Sequence, residues 1–463
     1  MRNEDEKENG NRKVNRRDFM RKAGVLGLAG IAGSQALKAV AHTVDTDAPR
    51  IITAPDQPNP PTITQNFPVG GNDERQIVQY PEKRPLIRVT SRPPQLETPM
   101  PMLAENGAVT ANDAFFVRYH NSEIPLSIDP KTYTVDIKVN TGTYDPLSST
   151  PTTVCTLTLD DLISKFEEVS LYAVNQCSGN SRGMENPRIA GGQLGNGACG
   201  NARWTGVRLK DVLEVAGVPS TTQQVLFNGL DQPDDEPPDF MKAIPLSRAM
   251  DGDVMLAYAM NGEEIPMLNG YPLKLIVPGW FGTYHVKHVN EIVLLDNSDF
   301  SKIFYMGTAY RIPDNGSGYL PPGTAWTGPW KPISRLVVRS FITSHVDGAK
   351  VGTGRPVKVK GVAFDGGDGI RKVEFSSDGG ATWQKADLGH DLGKYSFREW
   401  TCSFVPQADG DYTLKVRATS NSGETQPANA DDCWNPSGYM RNVIESVSVT
   451  AVSFLGKRGG KHG

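Results

Sequence analysis

A single cysteine stands among small and polar residues in the segment AVNQCSGNSRG, residues 173–183. Gly179 and Asn180 tolerate unusual backbone angles and let the chain approach a bulky group closely. The thiolate form of a cysteine binds metals, and Arg182, five positions after Cys177, could stabilise that form. The segment indicates a metal-binding cysteine at the end of a buried strand. The alternative is a buried cysteine without chemical function.

A second candidate set lies in the segment FFVRYH, residues 115–120. Arg118 and His120 are two positions apart, so both side chains point to the same side if the segment is extended. Two such groups that converge on one point suit a small oxyanion. A surface salt bridge is the alternative, but the neighbouring Phe115 and Phe116 predict burial, and a buried arginine needs a partner. A ligand or cofactor could be that partner.

The elements that would position these residues form two folded regions. From 96 to 332, strand-like runs alternate with short helical ones such as LTLDDLISKFEEV, where Thr158 can cap the helix, which predicts an α+β domain. From 333 to 456, short alternating strands predict an immunoglobulin-like β-sandwich, and SDGGATW predicts a tight hairpin with positive φ at its glycines. Residues 42–95 predict an extended N-terminal arm, and 457–463 a disordered tail.

Residues 1–41 have the pattern of an export signal. Positive charge precedes an apolar stretch from Ala23 to about Ala36, which is too short and too rich in glycine to span a bilayer. The adjacent Arg16 and Arg17 resemble a twin-arginine (Tat) signal, which serves proteins that load a cofactor before export. A chance arginine pair in a Sec signal is the alternative. We expect a periplasmic protein with no membrane span in the mature chain.

The cysteine pattern fits neither a disulfide framework nor a zinc site. The chain has five cysteines at wide, irregular spacing, and an odd number in an exported protein leaves at least one thiol unpaired. His285 and His288 are the only closely spaced pair of Cys or His residues, which is too little for zinc. The sequence contains no Cys-x-x-Cys-His motif, so we expect no c-type haem on this chain.

The charge balance excludes one class of partner. The formal net charge is −4 at pH 7, and no extended run of Lys and Arg follows the signal. Because phosphate binding depends on clustered Lys and Arg, we expect no nucleic acid partner. An acidic protein could instead attract a basic electron-transfer partner.

Further motifs follow FFVRYH and QCSGNSR along the chain. They are GNARWTGVRLKDVL (200–213), GLD (229–231), LAYAMNGEEIP (256–266), YPLKLIVPGWFGTYHVKHVNEI (271–292), AYRIP (309–313) and WNPSGYMRNV (434–443). In this order the set resembles the sulfite oxidase family of molybdenum enzymes. The resemblance implies a mixed α/β molybdopterin-binding domain of the sulfite oxidase type, followed by an immunoglobulin-like dimerisation domain, and hence a homodimer.

The resemblance implies that Cys177 supplies the single protein thiolate to molybdenum, which the dithiolene of molybdopterin also holds. The thiol would stay unpaired because a metal installed before export occupies it. A soft thiolate suits a metal that cycles between oxidation states, because sulfur donors delocalise the changing charge.

The resemblance also implies the residues that bind the substrate. Arg118 and Arg441 would hold sulfite through charge-assisted hydrogen bonds, Tyr310 would bond the reacting oxygen or the substrate, and His120 would steady the network. Tyr310 as simple core packing is the alternative. In vertebrate members the second arginine appears where this chain has Ser437, and the pattern here resembles bacterial sulfite dehydrogenases.

For the pterin, the resemblance implies a larger set of contacts. These are Phe116, Val117, Arg118, Tyr119, His120, Cys177, Asp231, Asn269, Lys274, His285, Val286 and Lys287. A phosphate-bearing pterin needs cations and backbone amides, which the two lysines could supply from strand-like runs. Vertebrate relatives carry His and Arg where Asn269 and Lys274 stand, which leaves these two contacts open. We expect His288 to be structural.

The activity that the resemblance implies is that of a periplasmic sulfite dehydrogenase, which oxidises sulfite to sulfate and passes electrons singly to an external acceptor. No haem motif or flavin-binding fingerprint lies in this chain, so we expect a c-type cytochrome as the acceptor. A sulfoxide reductase-like molybdoenzyme is one alternative, although such relatives lack the sandwich. Nitrate reduction is another, found in relatives with fused haem and flavin domains. A cofactor-free secreted β-sandwich binding protein is the alternative from a different class.

Overall fold

The computed structural model of the protein describes residues 50–51, 60–69, 71–234 and 238–453. The predicted export signal at 1–41 and the predicted tail at 457–463 lie outside the described residues, as do 42–49 and 52–59 of the predicted arm. No helix in the described part of the chain combines the length and the hydropathy that a membrane crossing requires.

Strands dominate both halves of the structure, and the helices are short. Up to residue 332 the strands are β1 (Arg50–Ile51), β2 (Thr62–Phe67), β3 (Gly71–Val78), β4 (Leu86–Thr90), β5 (Gln95–Glu97), β6 (Val117–Arg118), β7 (Ser127–Ile128), β8 (Thr134–Asn140), β9 (Thr152–Thr158), β10 (Val169–Gln176), β11 (Cys199–Arg208), β12 (Gln224–Gly229), β13 (Lys242–Pro245), β14 (Met255–Met260), β15 (Glu263–Glu264), β16 (Lys274–Ile276), β17 (Val289–Leu295), β18 (Arg311–Pro313) and β19 (Trp330–Pro332). The helices are α1 (Leu159–Lys165), α2 (Leu209–Ala216), α3 (Leu246–Ala249) and α4 (Phe304–Gly307). Short 3₁₀ helices span Met100–Met102, Arg182–Met184, Met267–Asn269, Gly282–Tyr284 and Ala430–Cys433.

A mixed five-stranded sheet of order β13-β12-β17-β8-β9 supports the first domain. Its β17 and β8 run parallel, and the other neighbours are antiparallel. Helix α1 follows its edge strand and begins at a capping box, in which the Thr158 hydroxyl accepts from the Asp161 N–H and the Asp161 carboxylate accepts from the Thr158 N–H, both at 3.0 Å. The predicted N-cap is confirmed.

A second sheet, of order β10-β11-β14-β15 with β16 paired to β14, lies nearest to the cysteine segment. Strand β10 becomes fully buried over its last four residues, and Trp204 of β11 donates its indole N–H to the Ala173 carbonyl at 3.1 Å. Phe115 packs edge to face on Trp204, with ring centroids 6.0 Å apart. This packing fixes the end of β10, where Cys177 follows.

The N-terminal residues form a third sheet, of order β2-β3-β4-β5-β6. The described part of the segment predicted as an extended arm thus contributes an antiparallel β2–β3 hairpin and strand β4 to the folded core. At the other end of this sheet, β6 carries Arg118 and pairs with β5, where Arg118 faces Gln95 in the register. The N-terminal segment is therefore part of the scaffold of the arginine motif.

The second half is a two-sheet sandwich built from β20 (Arg339–Ile342), β21 (Ala349–Gly352), β22 (Val357–Phe364), β23 (Ile370–Ser376), β24 (Gln384–Lys385), β25 (Asp387–Leu388), β26 (Arg398–Phe404), β27 (Gly410–Ser420) and β28 (Ser446–Val452). The sheet orders are β20-β22-β26-β25 and β21-β28-β27-β23-β24, and the buried Trp400 lies in the core between them. The turn after β23 has positive φ at Gly379 (74°) and Gly380 (99°), as predicted for the hairpin. The predicted fold class, α+β followed by an immunoglobulin-like sandwich, is confirmed.

Candidate active site

A cavity of ≈480 Å³ brings most of the predicted site residues together. Its lining comprises Phe116, Arg118, His120, Asn175, Cys177, Ser178, Phe240, Asn269, Lys274, Gly282, Thr283, His285, Lys287 and Tyr310. These residues come from positions far apart in the sequence, and most of them lie at strand ends or in loops. The cavity therefore joins the cysteine motif, the arginine motif, Lys274 of β16 and Lys287 in the loop before β17.

Cys177 directly follows β10, where it is buried, and its backbone N–H donates to the Ala198 carbonyl at 2.9 Å. The predicted position at the end of a buried strand is confirmed. All five cysteines of the chain are free, so the Cys177 thiol is not consumed by a disulfide. Among the described residues, no three His, Cys, Asp or Glu side chains cluster in a way that could hold a metal ion. Any metal at Cys177 would need further donors from a bound group.

His120 and Tyr310 form one hydrogen-bonded unit in the cavity wall. The His120 Nε2 and the Tyr310 hydroxyl share a hydrogen bond, and the His120 ring stacks on Phe240 with centroids 4.0 Å apart and planes 5° apart. Tyr310 has φ +59°, an uncommon value for a bulky residue, and its ring stacks on Tyr439 at 5.2 Å. The surrounding rings therefore hold the hydroxyl in one place.

The electrostatic surroundings keep both groups of this unit neutral. Desolvation lowers the pKa of His120 well below its ordinary value, and Arg118 and Lys287 lower it further. Burial raises the pKa of the Tyr310 phenol above its ordinary value, against the opposing effect of Arg118. At neutral pH the pair is an imidazole beside a phenol, so it can donate and accept hydrogen bonds without carrying charge.

Two lysine side chains form another part of the cavity wall. Lys274 is buried, and its Nζ lies 4.9 Å from the centre of the Trp204 ring. Lys287 donates from Nζ to the Arg118 carbonyl at 2.6 Å, and desolvation lowers its pKa to about 8. No carboxylate of the described residues forms an ion pair with either ammonium group. This wall is therefore suited to an anionic group.

Several polar atoms at the cavity have no hydrogen-bond partner within the described structure. They are Asn175 Oδ1, Ser178 Oγ, Thr283 Oγ1 and His285 Nδ1. The His285 Nε2 donates to the Val277 carbonyl at 3.0 Å, and desolvation lowers the pKa of His285 to about 3, so Nδ1 is left as an acceptor. Unsatisfied buried polar groups cost free energy, which a polar ligand with many donors and acceptors would recover.

Gly282 shows how tightly this wall is fitted. A Cβ atom on Gly282 would lie 2.1 Å from Asn175 Oδ1, so a side chain at this position would collide with the cavity wall. Together with the orphaned polar atoms and the lysines, this arrangement fits a polar, anionic cofactor that also reaches a thiol. Molybdopterin has these properties.

Two family descriptions match the chain. The "Oxidoreductase molybdopterin binding domain" matches residues 121–303, and the "Mo-co oxidoreductase dimerisation domain" matches residues 330–452. The mitochondrial sulfite oxidase of Rattus norvegicus is 32% identical over 389 residues, which cover 80% of this chain and 67% of that protein. The chain belongs to the sulfite oxidase family.

Other members of the family are similarly related. The sulfite oxidase of Arabidopsis thaliana is 31% identical over 397 residues, covering 80% of this chain and 95% of that protein. The nitrate reductase [NAD(P)H] of Hordeum vulgare is 32% identical over 392 residues, but these cover 42% of that protein. The solved structure of the sulfane dehydrogenase SoxCD from Paracoccus pantotrophus superposes with a TM-score of 0.61 at 26% identity, covering 80% of this chain and 87% of that chain.

Four residues predicted from the family resemblance stand behind the cavity lining rather than in it. Val117 and Val286 pack in the core. The Tyr119 hydroxyl is hydrogen-bonded to His288 Nε2 at 2.7 Å, and the Tyr119 ring lies under the Lys287 ammonium at 3.9 Å. Burial raises the pKa of Asp231 to about 6, although Lys287 opposes this effect. These residues support the wall that carries Lys287.

Arg441 also lies outside the cavity lining. Its guanidinium lies 3.5 Å from Glu185 and 3.5 Å from Glu445, and all three side chains are largely buried. Through Glu185, Arg441 connects the sandwich to the first domain. That Arg441 binds the substrate stays a prediction.

Arg182 was predicted from the sequence only as a stabiliser of the Cys177 thiolate, and it is not among the residues that line the cavity. It is buried, and its Nη1 and Nη2 donate only to the carbonyls of Gly192 (3.3 Å) and Ser437 (3.5 Å). Its guanidinium lies 5.0 Å from the centre of the Tyr439 ring, which in turn stacks on Tyr310. No ion pair joins Arg182 to a carboxylate of the described residues. The five-residue spacing from Cys177 was the sequence signal for it.

Lys83 was also missed, because its sequence surroundings carry no motif. It is fully buried, donates from Nζ to the Asn112 carbonyl at 2.6 Å, and is hydrogen-bonded to Asn269 Oδ1. The Asn269 amide in turn donates to the Phe116 carbonyl at 2.9 Å. Burial lowers the pKa of Lys83 to about 7. Lys83 thus orients one predicted cofactor contact, Asn269.

Proposed function

We propose that this protein is a periplasmic sulfite dehydrogenase, which oxidises sulfite to sulfate at a molybdenum centre bound through the pterin dithiolene and Cys177. The observation that carries the proposal is a free, buried thiol in a cavity lined by cations without carboxylate partners. Sulfite and one water give sulfate, two protons and two electrons. The electrons leave singly to an external acceptor, for which we propose a c-type cytochrome.

The residues that would hold the cofactor divide by chemistry. Cys177 supplies the soft sulfur donor, whereas Lys274 and Lys287 offset the negative charge of the pterin phosphate. The unpartnered atoms of Asn175, Thr283 and His285 would satisfy polar groups of the ring system. When bound, the molybdenum cofactor supplies two-electron oxidation coupled to oxygen transfer onto a substrate lone pair.

The substrate would bind near two arginines. Sulfite is a small oxyanion, and Arg118 lines the cavity, while the Arg182 guanidinium lies 5.0 Å from the centre of the Tyr439 ring, which stacks on Tyr310. Charge-assisted hydrogen bonds from the guanidinium groups replace the water shell of the anion and orient its sulfur. The neutral pair of His120 and Tyr310 can bond an oxygen of the substrate and hold a proton there.

The location and the acceptor rest on the sequence. The adjacent Arg16 and Arg17 support export after cofactor loading, and the lack of a haem motif or flavin fingerprint in this sequence supports an external acceptor. The match to the dimerisation domain supports a homodimer. The same match favours sulfite oxidation over the sulfoxide reductase-like alternative, because relatives of the latter kind lack the sandwich.

Steady-state turnover of the purified protein tests the proposal. Sulfite would be offered with cytochrome c, ferricyanide or oxygen, and nitrate or a sulfoxide would be offered with a reduced viologen dye. We expect turnover with sulfite and cytochrome c, and about one molybdenum per chain by elemental analysis. Turnover with nitrate or sulfoxide alone, or protein free of molybdenum after expression in a cofactor-producing host, would contradict the proposal.

A further inference from the structure

The β2–β3 hairpin packs directly on the loop that follows Cys177. Phe67, at the end of β2, lies against Gly183, so that a Cβ atom on Gly183 would be 2.5 Å from Phe67 Cε1. Phe67 is only 8% exposed, and the guanidinium carbon of Arg75 on β3 lies 5.6 Å from the centre of its ring. The aromatic ring therefore closes over backbone that immediately follows Arg182.

Further contacts join the same hairpin to residues 192–195, which form the second, returning arm of the loop after Cys177. Gln65 of β2 lies close to Gly195, where a Cβ atom would be 2.7 Å from Gln65 Nε2, and this amide donates to Glu97 Oε2 at 3.0 Å. Arg75 donates from Nη2 to the Gln193 carbonyl at 3.2 Å. Both arms of the loop are thus covered by the hairpin.

The loop holds Arg182 through its own backbone ladder. The Ser181 N–H donates to the Gly195 carbonyl at 2.7 Å, and the Gly183 N–H donates to the Leu194 carbonyl at 2.9 Å. The Arg182 guanidinium donates to the carbonyl of Gly192 in the same return arm. The position of the guanidinium therefore depends on how the two arms are held together.

We propose that the β2–β3 hairpin is a positioning element for Arg182, and that Phe67 is the positioning residue that sets the affinity of the site for sulfite. This inference rests on the proposed function. The hairpin precedes residue 121, where the match to the molybdopterin-binding domain begins. Phe67 is not among the residues that line the cavity, and it acts through its contact with Gly183 in the loop.

The loop needs the hairpin to hold Arg182 in place because the loop is rich in glycine. Gly183, Gly192 and Gly195 each have wide conformational freedom in isolation, and an ordered anion site requires that this freedom be removed before the substrate binds. The fixed aromatic ring of Phe67 restricts the conformation of the loop in the folded protein. The binding of sulfite therefore does not have to spend free energy on ordering the loop. Loss of the ring would leave the guanidinium with several positions.

The first test compares Phe67→Ala with Val69→Ala in the purified holoenzyme. Val69 belongs to the same hairpin turn and is 37% exposed, so it serves as the matched control. We expect Phe67→Ala to raise the KM for sulfite roughly 10- to 100-fold with kcat within about twofold of wild type, because misplacing a substrate-binding group by about 1 Å has costs of this size. Phe67→Leu, which keeps an apolar side chain, should restore most of the affinity.

A second readout does not depend on turnover. Sulfate resembles sulfite and its product, so it should raise the thermal unfolding temperature of the wild-type holoenzyme, as any ligand of the folded state does. We expect this shift to be kept in Val69→Ala and lost in Phe67→Ala at the same sulfate concentration. If Phe67→Ala does not fold, Arg75→Gln, which removes the bond to the Gln193 carbonyl, replaces it in both experiments.

The outcomes separate the two proposals. An unchanged sulfite KM and an unchanged sulfate shift in Phe67→Ala, with active wild-type enzyme, would overturn the positioning role and leave the proposed function intact. A parallel loss of kcat and molybdenum content would also overturn it, since the hairpin would then serve the cofactor site. A wild-type protein that does not oxidise sulfite would contradict the proposed function instead.

Discussion

The cavity is lined by three cations, Arg118, Lys274 and Lys287, for which the described residues provide no carboxylate ion-pair partner. Arg441 is as deeply buried as Arg182, but two carboxylates neutralise it. Within the described residues, Arg182 donates only to backbone carbonyls, and Lys274 lies over an aromatic ring. Because a buried charge without a counter-ion is costly, these side chains indicate anions that arrive with the cofactor and the substrate.

The variant Arg118→Gln tests whether the charge of Arg118 binds sulfite. Glutamine keeps a hydrogen-bond donor but loses the charge. The substitution should therefore weaken the binding of sulfite in the ground state and in the transition state alike. We expect the KM for sulfite to rise roughly tenfold to a hundredfold with a much smaller change in kcat, as measured by steady-state kinetics at constant ionic strength. A variant with wild-type KM and full kcat would remove Arg118 from the substrate site.

Lys274→Met tests the cofactor side. Methionine fills a similar volume without the charge, so the fold should survive while the anionic cofactor loses an attraction. We expect the variant to retain roughly a tenth or less of the wild-type molybdenum after dialysis, as measured by elemental analysis. Lys385→Met, an exposed lysine of the sandwich, is the control. Equal retention in both variants would contradict the role of Lys274.

The positions of single residues were predicted well where the residues next to them in the sequence form a clear pattern. The buried run before Cys177 placed it at the end of a strand, and the spacing in FFVRYH placed Arg118 and His120 in one cavity. The contact of Lys83 with Asn269 and that of Arg441 with Glu185 could not be predicted in this way, because each joins residues more than a hundred positions apart along the chain. Long-range contacts of this kind leave no local periodicity.

At the scale of elements, a buried charge cluster joins the sandwich to the turn that follows the cysteine segment. Glu185 ends the 3₁₀ turn Arg182–Met184, and Arg441 reaches it from the sandwich. Glu445 and Arg339 complete the cluster, with Arg339 Nη2 3.3 Å from Glu445 Oε1. The domain contact therefore lies within one turn of Arg182.

The pH dependence of stability tests this cluster. Burial raises the pKa of Glu185 from 4.5 to about 7, although Arg441 opposes the shift. A raised folded-state pKa means that the stabilising effect of the protonated form is lost as pH rises from about 4.5 through about 7. Relative to Glu185→Gln, the wild type should therefore lose a few degrees of unfolding temperature across this window.

The exposed Glu424→Gln is the control for that experiment, and it should show no such difference from wild type. Thermal unfolding followed by circular dichroism between pH 4 and pH 8 provides the measurement. Glu185 would not be the titrating group of the domain contact if the difference in unfolding temperature between wild type and Glu185→Gln did not change with pH. The same would follow if the wild type gained stability relative to the variant as pH rises.

The elements themselves were predictable where hydrophobic alternation or capping was strong. The sandwich strands, the capped helix α1 and the glycine hairpin at Gly379 followed from such patterns. The β2–β3 hairpin did not, because its polar, proline-rich surroundings are typical of an arm. Its pairing depends on a surface provided by the glycine loop after Cys177, and that surface exists only in the folded protein.

At the scale of the whole molecule, the formal net charge of −4 bears on the external acceptor. A negative protein attracts a basic cytochrome c, and added salt screens this attraction. We expect kcat/KM for cytochrome c to fall several-fold between roughly 0.01 and 0.3 M salt, while that for the anionic ferricyanide should not fall. A salt-independent rate with cytochrome c would contradict electrostatic attraction of the acceptor.

The central claim is a bond between the sulfur of Cys177 and molybdenum. X-ray absorption at the molybdenum edge of the purified, cofactor-loaded protein measures its sulfur ligands, and Cys177→Ser offers the matched comparison because it changes a single atom. The account predicts one sulfur ligand fewer in the variant, loss of sulfite turnover and a nearly unchanged unfolding temperature. The same sulfur count in both proteins, or retained turnover in Cys177→Ser, would contradict it.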